Sequence, residues 1–195
     1  TLYMIQRAGS GHIGSSFSSL DIFSFLLLDE LNIVNNQNKN HDYMFSSKGH
    51  DAPGLYSAYI ALGLIDFSKI HTLRKINGLP GHPDISTPYI HTNTGSLGMG
   101  ISKAKGIIIS NRLKSLNNKI IVITGDGELQ EGQIWESLLS AVNYKMHELV
   151  VIVDNNKIQS DTYVTKTSDL LDLEKKFESF GFYVKNCNGH SFKEL

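Results

Sequence analysis

The chain has 195 residues, which is enough for one well-packed domain and only marginally enough for two. Its 18 Lys and Arg against 19 Asp and Glu give a formal charge of −1, which excludes the basic surface typical of proteins that bind nucleic acids or membranes. The longest apolar runs are too short to span a bilayer. The single cysteine, Cys187, cannot form an internal disulfide, so we expect a cytoplasmic protein.

The first hundred residues predict mainly helices and loops. Residues 1–8 predict a helix that ends at Gly9, and residues 18–31 predict a strongly apolar helix in which Ser18 begins a capping box. The elements expected after it are an Asn-rich polar loop over 32–42, a short strand over 42–47, a helix entered near Pro53, a short helix over 68–76 and a Gly/Pro-rich loop up to residue 100.

The second half predicts strands that alternate with helices. The elements in order are a helix over 101–116, a strand over 119–124, a helix over 133–146, a strand over 149–154, a helix over 169–180, a strand over 182–188 and the start of another helix at the carboxyl end. Short, continuously apolar strands separated by helices indicate an α/β fold, in which helices sandwich a parallel sheet. The two strands at 119–124 and 149–154 then point the same way, and their carboxyl ends share one edge of the sheet.

Oxygen-bearing side chains follow both of these strands. Asp126 comes directly after the first strand between Gly125 and Gly127, and Asn156 follows the second. If the strands are neighbours, the two positions are separated by about 5 Å. The glycines allow a sharp turn whose backbone N–H groups face an anion. A carboxylate, an amide oxygen and a backbone carbonyl just past Asn156 suit Mg²⁺ or Ca²⁺, and the ligand expected there is a metal-bound diphosphate.

The spacing of these motifs resembles a known family. Twenty-seven residues, 128 to 154, separate the GDG motif from Asn155-Asn156, which resembles the thiamine diphosphate signature. The stretches SGHIGSSFSSLDI, SSKGHDAPGLY, LPGHPD, TGSLGMGIS and GDGELQEGQIWES resemble, in order, the N-terminal half of transketolase. The resemblance covers nearly the whole chain. It implies a single thiamine diphosphate-binding (PP) domain over residues 1–195, which we expect to be truncated at both ends.

Three histidines share one local pattern, in which a glycine directly precedes the histidine. They are His12, His50 and His82, and we expect them to meet in one cleft. The resemblance implies that His12 and His82 contact the sugar near its reactive carbon and that His50 lies against the cofactor diphosphate. Histidines with a near-neutral pKa suit proton transfers to and from sugar hydroxyls.

The resemblance also assigns cofactor, metal and interface roles. It makes Asp126, Asn156 and the carbonyl of Ile158 the metal ligands, with Mg²⁺ as the metal and Ca²⁺ as a substitute. It places Glu131 and Glu136 at a dimer interface that links two active sites, and adds Glu131 to the catalytic residues. The implied cofactor contacts are His50, Gly95, Leu97, Gly125, Gly127, Glu131 and Asn156, with the N–H of Gly127 directed at the diphosphate.

The expected activity is transfer of a two-carbon ketol unit from a ketose or ketose phosphate to an aldose. The resemblance implies that a pyrimidine-binding domain or C-terminal subunit completes the site, in a homodimer or heterotetramer. Ile13, Met99 and Thr162 stand where the family usually has Pro, Gln and Gly. These differences leave open a specialised transketolase-like enzyme of unusual-sugar biosynthesis.

Two further functions remain as alternatives. A non-catalytic thiamine diphosphate-binding scaffold would not need Asp126, Asn156 and three Gly-His pairs. A nucleotide-binding domain is disfavoured because the phosphate-binding glycine motifs of such domains are missing from the sequence.

Overall fold

A computed structural model describes residues 1–33 and 41–195, so most of the predicted polar loop over 32–42 lies outside the described residues. The described chain divides into two compact units. The first comprises Thr1–Ile33, Gly49–Gly95 and Asn188–Leu195. The second comprises Ser96–Cys187 and the described residues of Val34–Lys48. Each unit is described by itself.

The first unit is built from helices. Helix α1 (Leu2–Ala8) ends at Gly9, whose φ of 64° lies in the left-handed region, as the sequence predicted. Helices α2 (Ile13–Ser18) and α3 (Leu20–Phe25) follow, and a π-helical turn covers Leu26–Glu30. Helix α4 (Ala52–Ala61) carries a proline in its first turn, also as predicted.

The continuous helix predicted over 18–31 is wrong at its start. Ser18 ends α2, and its hydroxyl donates to the carbonyl of Ser15 at 3.1 Å. The buried Ser19 donates to the same carbonyl at 3.1 Å. Because both hydroxyls bond back to the preceding turn, Ser18 does not begin a capping box, and the helical segment breaks between α2 and α3.

The helix predicted over 68–76 is also wrong in extent, since only Phe67–His71 is helical, in a 3₁₀ turn. Asp66 caps this turn by accepting the N–H of Ser68 at 2.8 Å. The turn ends at Thr72, and Arg74, two residues later, has a φ of 58°, which a right-handed helix does not allow.

The second unit contains a parallel sheet. Strands β1 (Tyr43–Ser46), β2 (Ile120–Gly125) and β3 (Leu149–Asp154) pair in the order β1-β2-β3, and both pairings are parallel. All six residues of β2 are buried, which explains its continuous apolar sequence. Helices α5 (Gly100–Leu113) and α6 (Gly132–Asn143) pack with the sheet around one apolar core. This confirms the α/β fold with a parallel sheet flanked by helices.

The rest of the second unit differs from the sequence prediction. A two-stranded antiparallel hairpin, β4 (Ile158–Gln159) and β5 (Thr162–Tyr163), leads into the short α7 (Val164–Thr167). Helix α8 (Leu173–Ser179) is shorter than predicted and begins where Asp172 caps the N–H of Lys175 at 3.1 Å.

The strand predicted over 182–188 is wrong, because these residues take no part in either sheet. Phe182 and Val184 pack against the apolar core, which accounts for their alternating pattern without strand pairing.

At the carboxyl end of the first unit, the expected start of a helix is a single turn, in which Leu195 N donates to Ser191 O at 3.0 Å.

Candidate metal and cofactor site

The candidate metal ligands lie at the carboxyl ends of neighbouring parallel strands. Gly125, the last residue of β2, pairs with Asp154, the last residue of β3. The N–H of Asp126 donates to the carbonyl of Asp154 at 3.2 Å, which joins the two strand ends. The loops that carry Asp126 and Asn156 therefore begin side by side at one edge of the sheet.

The Asp126 carboxylate joins both loops and is nearly inaccessible, with 2% of its surface exposed. Its Oδ1 accepts the N–H of Gly127 at 2.8 Å, and its Oδ2 accepts the N–H of Lys157 at 2.6 Å. Burial raises the pKa of this carboxyl, while the two N–H bonds oppose the rise. A cation at this carboxylate would relieve the cost of burying its charge.

Asn156 is held in one orientation by its neighbours. Its Nδ2 donates to Asp154 Oδ2 at 3.3 Å, and its Oδ1 accepts the N–H of Ile158 at 3.0 Å. The same Asp154 oxygen accepts a 2.5 Å hydrogen bond from Lys48 Nζ. Because Lys48 is 1% exposed and Asp154 7%, this is a buried ion pair next to the candidate metal ligand.

The buried charges at this edge fit a divalent cation. In the described part of the second unit, the buried charged side chains are Lys48, Asp126, Glu128 and Asp154. One ammonium against three carboxylates leaves a formal charge of −2. No group of three or more His, Cys, Asp or Glu in residues 1–33 and 41–195 is arranged to hold a metal. The predicted ligands instead combine one carboxylate with amide and carbonyl oxygens, a donor set suited to Mg²⁺.

Gly127 is required by a close approach of the β4 hairpin. A Cβ on Gly127 would lie 2.7 Å from the Cβ of Gln159, closer than real side chains pack. The side-chain Oε1 of Gln159 is buried there without a hydrogen-bond partner. The N–H of Gly127, expected to face the diphosphate, donates to Asp126 in this structure, so diphosphate binding through it requires this bond to be given up.

The other cofactor and interface residues expected in the second unit lie just before α5 and in the first turns of α6. Leu97 is 37% exposed and precedes Gly98, where a Cβ would lie 2.9 Å from the Cβ of Glu131. Glu131 is exposed at the N-cap of α6, and Glu136 is exposed one turn later. Both acids are therefore accessible, as an interface role requires.

The three Gly-His histidines all belong to the first unit. The rings of His12 and His50 lie 5.0 Å apart between centroids. The Cδ2 of His82 lies 3.1 Å from the position of a Cβ on Gly49 and 3.6 Å from that of a Cβ on Gly95. The structure thus brings the three histidines and Gly95 into one neighbourhood.

The electrostatic surroundings of His82 favour its neutral form. Burial lowers the pKa of its imidazole, and the charge of Arg74, with that of His12 when His12 is protonated, lowers it further. Asp51 acts in the opposite direction. A neutral His82 at pH 7 is able to accept a proton from a hydroxyl.

Sequence reasoning missed Lys48, Glu128 and Asp154. Lys48 follows β1 by two residues and Asp154 ends β3, so position at a strand end was the signal available for both. Charged side chains are seldom fully buried unless they are paired, and composition alone does not identify the partner.

Together, the parallel sheet and the oxygen-rich strand ends define an α/β domain with a candidate metal–diphosphate site. The family described as transketolase, thiamine diphosphate binding domain, matches residues 1–195. The chain belongs to this family.

Similar proteins include both separate subunits and full-length enzymes. The chain is 36% identical to the 6-deoxy-6-sulfo-D-fructose transketolase subunit SqwG of Clostridium sp. (strain MSTE9), over 100% of this chain and 72% of that protein. It is 36% identical to an apulose-4-phosphate transketolase subunit of Actinobacillus succinogenes, over 95% of this chain and 68% of that protein. Human transketolase is 32% identical over 96% of this chain, which spans 31% of the human protein.

The solved transketolase of Leishmania mexicana shares the fold, with a TM-score of 0.85 and 24% identity. The comparison covers 98% of this chain and 31% of that one.

None of the helices described in residues 1–33 and 41–195 is both long and apolar enough to cross a membrane.

Proposed function

We propose that the chain is the thiamine diphosphate-binding half, or subunit, of a transketolase-type transferase. The enzyme transfers a two-carbon ketol unit from a ketose or ketose phosphate to an aldose. The observation that carries the proposal is the position of Asp126 and Asn156 just beyond the paired strand ends Gly125 and Asp154, at an edge of formal charge −2. Membership of the family over the whole chain supports it.

Each candidate residue has a distinct task in this proposal. Asp126, Asn156 and the carbonyl of Ile158 hold Mg²⁺, or Ca²⁺ in its place. When bound, thiamine diphosphate supplies the electron sink for cleaving and forming carbon–carbon bonds. His12 and His82 bind the sugar and exchange protons with its hydroxyls, and the lowered pKa of His82 keeps it ready to accept one.

The proposed enzyme needs a pyrimidine-binding domain, in the same polypeptide or in a partner subunit. The exposed Glu131 and Glu136 face the subunit interface of a cytoplasmic homodimer or heterotetramer. Two relatives support a separate partner subunit, because they are themselves named as transketolase subunits and the chain spans 72% and 68% of their lengths.

A specialised sugar substrate is the second candidate. Relatives named for 6-deoxy-6-sulfo-D-fructose and apulose-4-phosphate are each 36% identical to the chain. A second apulose-4-phosphate relative is 31% identical and human transketolase 32%. The names of these relatives support an unusual ketose as a donor to be tested beside ordinary ketoses.

Reconstitution tests the proposal. The chain is mixed with its pyrimidine-binding domain or subunit, thiamine diphosphate and Mg²⁺, and ketol transfer is followed with ordinary and unusual ketose donors. Transfer that needs both parts and is lost in Asp126→Ala supports the proposal. Cofactor binding without transfer, for every donor, would instead support the scaffold alternative. Transfer that survives in Asp126→Ala refutes the metal assignment.

A further inference from the structure

Glu128 lies two residues after Asp126, and its carboxylate is 2% exposed. Oε1 accepts the hydroxyl of Ser47 and the N–H of Gly98, the latter at 2.8 Å. Oε2 accepts the N–H of Gly125 at 3.2 Å. One side chain therefore bonds to three separate segments of the second unit.

These segments are the ones that frame the candidate diphosphate site. Ser47 directly follows β1, Gly98 precedes α5, and Gly125 ends β2. The hydroxyl of Ser47 extends the network by accepting the N–H of Gly100 at 3.0 Å. The expected cofactor contacts Leu97 and Gly127 lie close to these bonds in the chain, since Leu97 precedes Gly98 and Gly127 follows Gly125 by two residues.

The glycines in this network leave little room for adjustment. Gly98 has a φ of 80°, which favours glycine. A Cβ on Gly100 would overlap the side chain of Ser47. The spacing between the segments is thus set by the close contact of Gly100 with Ser47 and by the length of the Glu128 side chain.

We propose that Glu128 is a positioning residue, which fixes the segments carrying Leu97 and Gly127 and so sets the affinity for a metal-bound diphosphate. The inference rests on the proposed function, because it assumes that this edge binds the diphosphate. Glu128 acts through the backbone groups it holds and does not itself touch the ligand.

Charge and geometry predict opposite results at this position. A carboxylate near a diphosphate repels it, so removal of the charge by itself would strengthen binding. In Glu128→Gln one carboxylate oxygen is replaced by an NH2 group, which donates hydrogen bonds. This NH2 group faces either the N–H of Gly125, or the hydroxyl of Ser47 and the N–H of Gly98, and these groups also donate. At least one of these groups is then left without a hydrogen bond. The proposed positioning role of Glu128 therefore predicts weaker ligand binding.

The test is calorimetry at 25 °C of thiamine diphosphate with Mg²⁺, and of inorganic pyrophosphate with Mg²⁺. We expect Glu128→Gln to raise both dissociation constants about tenfold or more. Glu128→Asp keeps the charge but shortens the side chain, and it should weaken binding as well. Glu148→Gln is the matched control, at the other end of the sheet just before β3, and should stay within about twofold of wild type.

Circular dichroism and thermal unfolding without ligand separate positioning from general destabilisation. A structural role would lower the unfolding midpoint but leave the dissociation constants of the folded protein unchanged. If Glu128→Gln does not fold, Ser47→Ala removes one of the three donors to Glu128 and the acceptor of the Gly100 N–H, and it should weaken binding of both ligands about two- to fivefold.

The outcomes distinguish the two proposals. Wild-type protein that binds neither ligand, alone or mixed with its pyrimidine-binding domain or subunit, refutes the proposed function, and the inference with it. Wild-type binding that Glu128→Gln and Ser47→Ala leave unchanged or strengthen overturns the role of Glu128, while the proposed function stands.

Discussion

Replacing Lys48 by Met should destabilise the protein more than any exposed lysine replacement. The Nζ of Lys48 lies 2.5 Å from Asp154 Oδ2, and the two side chains are 1% and 7% exposed. Removing one partner of a buried ion pair leaves an uncompensated charge and costs on the order of 3–5 kcal/mol. Urea unfolding followed by fluorescence of Trp135, which packs beside Phe177 in the second unit, measures the loss.

A matched control and a double variant isolate the ion pair. Lys175 lies 2.8 Å from Asp172, but the side chains are 81% and 47% exposed, so Lys175→Met should lower the free energy of unfolding far less than Lys48→Met. Adding Asp154→Leu to Lys48→Met removes both charges and should recover part of the stability. Equal losses of unfolding free energy in Lys48→Met and Lys175→Met would refute the ion-pair explanation.

Three other predictions concern a glycine, a histidine and a partly exposed ion pair. Gly127→Ala should weaken binding of thiamine diphosphate with Mg²⁺ in calorimetry, since its Cβ would displace the β4 hairpin; Gly132→Ala, with no atom within 4 Å of its Cβ, should not. The NMR titration of His82 should have its midpoint below 6.5 and move upward in Arg74→Ala; an unchanged midpoint contradicts the electrostatic explanation. Arg112 lowers the pKa of Glu148 from 4.5. The stability that this carboxylate contributes is therefore present above pH 4.5 and lost as the pH falls through the lowered value, so wild type and Glu148→Gln should converge in urea unfolding at low pH.

The two central strands of the sheet were predictable because each one is a short, continuous run of apolar residues in the sequence. The apolar runs that became β2 and β3 are continuous, since all of β2 is buried, and the helix between them fixes the parallel order. The same reasoning failed at 182–188, where Phe182 and Val184 face the core without strand pairing. Burial pattern predicts which side chains face inward but does not determine whether the backbone pairs.

The candidate site was predictable only in part. Asp126 and Asn156 stand out because each follows an apolar strand and the two strands are consecutive, which places both residues at one edge of a parallel sheet. Lys48 and Glu128 gave no such signal, because a lysine or glutamate beside a loop normally faces solvent. Their burial depends on partners 106 and 81 residues away, Asp154 and Ser47, and such pairs are defined by the fold.

The most direct test of the metal–diphosphate site is calorimetric titration of the protein with thiamine diphosphate, with and without Mg²⁺, in wild type and Asp126→Ala. We predict binding that requires Mg²⁺ and is lost when the Asp126 carboxylate is removed. Binding of equal strength without a divalent cation, or in Asp126→Ala, would contradict the assignment.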